Sequence, residues 1–207
     1  KMTVKQFFKS TAFKSLAVLI VIVLVAGALL AIFNDLLYVS DEERLARSLA
    51  KIYGTEVTAE EIELSEEERT YNNGTVDAVY YVQDDGNYLF QTTGKGGYSN
   101  GTVTLWTIIT CTGSREENDL VLTGIEKVVY DSNSGQTLMG NFGESFYALF
   151  ANQDELVASG KDFTANENMT GDLNNIVAGA SMTSTAICNA VNTALACFRT
   201  VFIGGEA

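Results

Sequence analysis

Residues 76–93 read VDAVYYVQ, DDG, NYLFQTT, and this stretch decides the fold. Val76–Gln83 and Asn87–Thr93 are β-branched and aromatic runs, and Asp84-Asp85-Gly86 between them has the chemistry of a hairpin turn. Two further runs of the same kind follow: TVTLWTIITC over Thr102–Cys111 and LVLTGIEKVVYD over Leu120–Asp131. Gly94-Lys95-Gly96-Gly97 and Asn100-Gly101 supply glycine-rich punctuation around them. Proline is absent, so turns have to be built from Gly, Asn and Asp.

Helical signals lie on both sides of these strands. Ser40 and Glu43 form a capping-box pattern opening DEERLARSLAKIYG, which stops at Gly54 and sets Leu45, Leu49 and Ile52 on one face. Glu56–Arg69 is rich in glutamate and reads as a second short helix or an acidic connector with a solvated face. Beyond Gly140, Phe146, Leu149, Phe150 and Leu156 space out as one apolar helical stripe. The last element, Thr185 to Val201, places Ile187, Val191, Leu195 and Phe198 on one side. Strands in the middle and helices at both ends predict an α+β domain with a central antiparallel sheet and flanking helices.

The 207 residues hold 13 Lys+Arg against 26 Asp+Glu, a net charge of -13. Lys1, Lys5, Lys9 and Lys14 fall in the first fourteen positions, so the remainder is more acidic still and would repel nucleic-acid phosphates. Histidine is absent, which removes Ser-His-Asp and Cys-His nucleophile systems and histidine-ligated zinc or haem. Cys111, Cys188 and Cys197 form no CxxC and no metal-ligand cluster, and read as small buried side chains. Asp84-Asp85 and Glu116-Glu117 are carboxylate pairs in turn-like stretches, where surface charge is the ordinary role. The three Asn-x-Thr sequons at Asn73, Asn100 and Asn168 would matter only in a eukaryotic secretory route.

From Leu16 to Phe33 the chain reads LAVLIVIVLVAGALLAIF, with no charge and no amide. As a helix this is roughly 27 Å long, close to the ~30 Å hydrocarbon thickness of a bilayer. A secretory signal is the competing reading, but its apolar core runs to about 15 residues at most, and no A-x-A site follows. The expectation is a basic cytoplasmic segment at 1–14, a transmembrane helix at 15–39 and an extracytoplasmic domain at 40–207. Lysines before the span and Asp35, Asp41, Glu42 and Glu43 after it set that orientation.

One segment carries chemistry: Asn175-Ile-Val-Ala-Gly-Ala-Ser-Met-Thr-Ser-Thr185 runs straight into the last helix. Ser181 offers a hydroxyl on a hinge of small residues, where Gly179 and Ala180 let bulky groups approach the backbone. Thr183, Ser184 and Thr185 add hydroxyls where the helix opens, and the free N–H groups there favour a phosphate. An ordinary Ser/Thr-rich helix cap is the plainer account of the same residues.

AGASMTS resembles the SGATxTS signature of the FMN-binding subunits of Rnf- and Nqr-type membrane oxidoreductases. GKGGYSNGTVTLWTIIT and LTGIEKVVYDSNSGQTLMG are similar, in order, to that family's glycine turn, strands and following loop. The likeness spans about residues 80–196 and the position of the anchor. This sequence has Asn175 where the family usually has Asp, Ala178 in place of the first hydroxyl residue, and a loop at Gln136–Gly140 without the family's Glu and Pro. The resemblance implies that a flavin transferase joins FMN through its phosphate to Ser181. It implies cofactor contacts from Gly179, Ala180, Thr183 and Ser184, with Thr137 as a second contact. No residue is implied to be catalytic and none to bind metal.

The chain would then be an electron-transfer subunit of a complex that couples redox to Na⁺ or H⁺ movement, with the ion path in partner subunits. Tyr98 and Trp106 are candidates to stack on the flavin, and an acidic surround would lower its potential. The rival readings are a stand-alone flavinylated protein on a membrane anchor and a non-redox acidic binding or structural domain.

Overall fold

A computed structural model describes residues 11–37, 41–165 and 180–204. The expectations for Lys1, Lys5, Lys9, Ser40, Asn168, Asn175, Ala178 and Gly179 lie outside these described residues. The chain divides into two units, Lys1–Ser48 and Leu49–Ala207.

In the first unit, α1 runs Thr11–Leu37. Its stretch Phe13–Phe33 is long and apolar enough to cross a membrane, and its side chains face outward all round. Helix α2, Asp41–Tyr53, begins in the first unit and ends in the second, where Gly54 takes φ 76 and donates its N–H to the Ala50 carbonyl.

The second unit is built on a sheet. Its elements are β1 Ala59–Glu61, α3 Glu66–Arg69, β2 Thr70–Tyr71, β3 Gly74–Val82, β4 Tyr88–Gly94, β5 Thr102–Thr112 and β6 Val121–Ser134. Among the described residues these six strands form one antiparallel sheet in the order β1-β3-β4-β5-β6, with β2 also on β3. The hairpin at Asp84–Gly86 forms as its residues dictate. Gly86 sits at φ 74, its N–H reaches the Val82 carbonyl, and Asp85 Oδ1 accepts from the Asn87 N–H.

Two expectations change here. Where the sequence predicts a short helix or connector over Glu56–Arg69, the structure forms the edge strand β1 and then the one-turn helix α3. Ser65 and Glu68 close a capping box on α3. Where it predicts one apolar helical stripe over Phe146–Leu156, the chain makes α4 Glu144–Tyr147, a 3₁₀ turn at Phe150–Asn152 and α5 Asp154–Ala158. The aromatic residues still turn inward: Phe142, Phe146, Phe150 and Phe163 form edge-on pairs 4.8–6.1 Å apart.

The last helix, α6, spans Ser181–Cys197 and continues as a π-helical turn over Phe198–Ile203. Ser181–Ile203 is also long and apolar enough to cross a membrane, but two thirds of it is buried, with close packing on β3, β4 and β5. Gly94 makes that approach close, because a Cβ there would overlap the backbone of Ala186 and Ala190. Thr92 Oγ1 donates to the Ala190 carbonyl at 2.8 Å. On its other side Asn192 holds both the N–H and the carbonyl of Phe163, while the 144–158 segment packs directly on β6. Ile187, Val191, Leu195 and Phe198 are fully buried, each contributing about 1.5–3 kcal/mol of apolar burial.

Side chains alternate across a pleated strand. Phe90, Thr92, Val103 and Leu105 therefore face α6, while Tyr80, Leu89, Trp106 and Ile108 face the opposite side and are buried there too. Leu49 and Ile52 at the end of α2 cover that second side. Lys127, in register with Ile108, donates its ammonium to the Ile52 carbonyl at 2.6 Å.

Candidate cofactor site at the start of the long buried helix

Ser181 is the first residue of α6, four positions before the helix start predicted from the sequence. The shift follows from what the hydroxyls do. Ser184 Oγ bonds back to the Ala180 carbonyl and Thr185 Oγ1 to the Ser181 carbonyl, the i−4 pattern open to Ser and Thr inside a helix. Ala180 is the N-cap residue, and among the described residues no side chain caps this end. Ala180 itself offers the first N–H groups of α6 no side-chain acceptor of the kind a Ser or Asp cap supplies.

Ser181 is exposed, and its hydroxyl makes no hydrogen bond among the described residues. Ala180 beneath it is buried. Thr183 and Ser184 are buried as well, and their hydroxyls are spent inside the protein. Their role in the geometry is to seat the helix rather than to present free hydroxyls.

The partner of Thr183 is a residue that sequence reasoning passed over. Gln136 is 7% exposed and satisfies both ends of its amide. Its Oε1 accepts from Thr183 Oγ1 at 2.8 Å and from the Tyr98 N–H at 3.2 Å. Its Nε2 donates to the carbonyls of Tyr98 and Ser134, each at 3.3 Å. Gln136 thereby joins three segments distant in sequence: the turn after β4, the end of β6 and the first turn of α6. Gly97 and Gly101 pack so closely on it that a Cβ at either would collide with its amide. Asn189, one face further along α6, adds a bond from its Nδ2 to the Lys95 carbonyl at 2.7 Å. Thr137 follows Gln136 directly and is exposed.

Protein-family models, curated proteins and solved structures contain no match to this chain.

The structure separates the two aromatic candidates. Tyr98 is 65% exposed and its backbone is held at the site. Trp106 lies on the opposite side of the sheet, 6.2 Å from the Tyr80 ring, so it is core and not a neighbour of Ser181. The described segments that meet here, 95–101, 134–138 and 180–185, contain no carboxylate and one cation, Lys95.

A phosphoester at Ser181 Oγ fits this donor set. It would stand beside the start of a 17-residue helix whose N-cap residue, Ala180, has no polar side chain, with no carboxylate from those three segments to oppose its charge. Among the described residues no three His, Cys, Asp or Glu side chains gather where a metal ion could sit. The three cysteines are free, and burial pushes the Cys188 thiol up to about 12 and Cys197 up to about 11.

Proposed function

We propose that this chain is a membrane-anchored, extracytoplasmic electron-transfer subunit of an Rnf- or Nqr-like complex, carrying FMN as a phosphoester on Ser181. One observation carries the reading: an exposed hydroxyl, with no hydrogen bond among the described residues, stands at the start of α6, where the N-cap residue Ala180 has no polar side chain. The resemblance of AGASMTS to a flavinylation signature supplies the identity of the group.

Ser181 Oγ forms the bond to phosphorus when a flavin transferase presents an activated flavin nucleotide. The P–O bond to the leaving nucleotide breaks, and the hydroxyl proton passes to a base. Once attached, FMN supplies one- and two-electron transfer. The α6 amide groups stabilise the phosphate charge, Thr183 and Ala180 fix the helix start, and Thr137 stands as the second contact. The stretch Leu16–Phe33 contains no charge, so the path of a coupled ion belongs to multispan partners.

Purification of the chain from its native host tests this directly. The expected result is a fluorescent band that survives denaturing electrophoresis and a mass increment of one FMN phosphoester. Both should vanish in Ser181→Ala. A colourless wild-type chain of unmodified mass overturns the proposal.

A further inference from the structure

Tyr98 is an exposed aromatic residue on an unusually fixed piece of backbone. Its N–H and its carbonyl are both bound to the Gln136 amide, and the carbonyl also accepts from the Gly101 N–H at 2.9 Å. The next two residues, Ser99 and Asn100, take φ 53 and φ 61, a left-handed conformation that non-glycine residues adopt at a cost. Gly97 N–H closes the turn on the Gly101 carbonyl at 3.0 Å. A costly backbone, clamped from both sides, holds up a ring that the core does not use.

Gln136 connects this turn to the helix that bears Ser181. Its Oε1 is shared by the Tyr98 N–H and Thr183 Oγ1, so the Tyr98 backbone stands one acceptor atom away from the first turn of α6. Ser181 shares a helix face with Thr185, whose Cγ2 a Cβ at Gly96 in the same glycine turn would meet at 3.4 Å.

From this geometry we infer that Tyr98 is the stacking platform for the flavin ring carried on Ser181, and that Gln136 is the positioning residue that holds the platform in place. The inference rests on the reading of Ser181 as the attachment point. Gln136 suits the task because it donates and accepts at once and carries no titrating proton, so the clamp is indifferent to pH. An aromatic face offset against a planar ring is a favourable arrangement.

The test uses the full-length flavinylated chain in detergent. Flavin emission is measured in the native state and again after denaturation, which reports the amount attached. In the wild type, stacking on Tyr98 quenches the native emission. Tyr98→Leu is on an exposed side chain, and it should raise native emission several-fold while leaving the denatured signal unchanged. Tyr98→Trp should restore the quenching.

Gln136→Leu should raise native emission by a similar factor, and the double variant should show no more than either change alone. Thr183→Val removes one of the four bonds and serves the same purpose where Gln136→Leu does not fold. Native emission that stays quenched in Tyr98→Leu overturns the platform. Emission unchanged in folded Gln136→Leu or in Thr183→Val overturns the positioning role. A wild-type chain with no denatured-state flavin fails the reading of Ser181 itself, and is told apart by the absence of signal in every sample.

Discussion

Gln136 shows how much one amide decides. A carboxylate of the same shape would keep the acceptor for Thr183 and Tyr98 but would face the carbonyls of Tyr98 and Ser134 without a proton to give. Gln136→Glu is therefore expected to cost about 1–3 kcal/mol at neutral pH. Burial among acceptors raises the pKa of the introduced carboxyl in the folded state above its unfolded value of about 4.3. Its protonated form can donate, so the penalty is smallest in acid and grows as pH rises through the folded-state pKa. Denaturant midpoints should show the gap to wild type widening between about pH 4 and pH 6.5 and level above that. A gap that does not change with pH would mean that the amide donors carry no weight.

At the scale of elements, the decisive contact is α6 on the sheet. Gly94 lets the Ala186 and Ala190 backbone come close, and Thr92 fixes the register with its bond to Ala190. Gly94→Ala should cost about 2 kcal/mol or more, since only a shift of helix against strand relieves the overlap. Gly140→Ala, where a Cβ meets nothing, should change stability by less than about 0.5 kcal/mol. Urea titration of the two variants separates the effects, and equal costs would refute the account of this contact.

The same elements show what was readable in advance. The hairpin at Asp84–Gly86 and strands β3 to β6 follow from turn chemistry and β-branched runs, which are local signals. Strand β1 was not readable: Ala59-Glu60-Glu61 is extended because it pairs with β3, and nothing in three such residues asks for a strand. The start of α6 was misplaced because Ser and Thr advertise a cap, whereas here they bond back into the helix. Ser181 and its neighbours were legible as a motif. Gln136 was not, because its partners lie 38 and 47 residues away and only folding brings them together.

For the molecule as a whole, the boundary between its two units has a measurable meaning. Leu49 and Ile52 belong to the sheet domain and cover the side bearing Tyr80, Trp106 and Ile108. A chain starting at Asp41 should fold in water without detergent. One starting at Gly54 should lose about 3–6 kcal/mol, a large fraction of a typical domain's 5–15 kcal/mol. Denaturant midpoints and binding of a hydrophobic dye measure the difference, and equal stability of the two chains would mean that α2 contributes nothing to that side.

The position of α6 along the chain has a further consequence. All six strands have been synthesised by Ser134, yet the side of the sheet bearing Phe90, Val103 and Leu105 lacks α6, which packs on β3, β4 and β5, until residues 181–202 emerge. At roughly 5–20 residues per second, a ribosome needs about 3–14 seconds to make that remaining stretch. Throughout that interval the nascent chain presents an apolar surface that only the 142–163 segment can partly cover. Safe passage of this protein therefore depends on whatever shields a half-made sheet until its closing helix arrives.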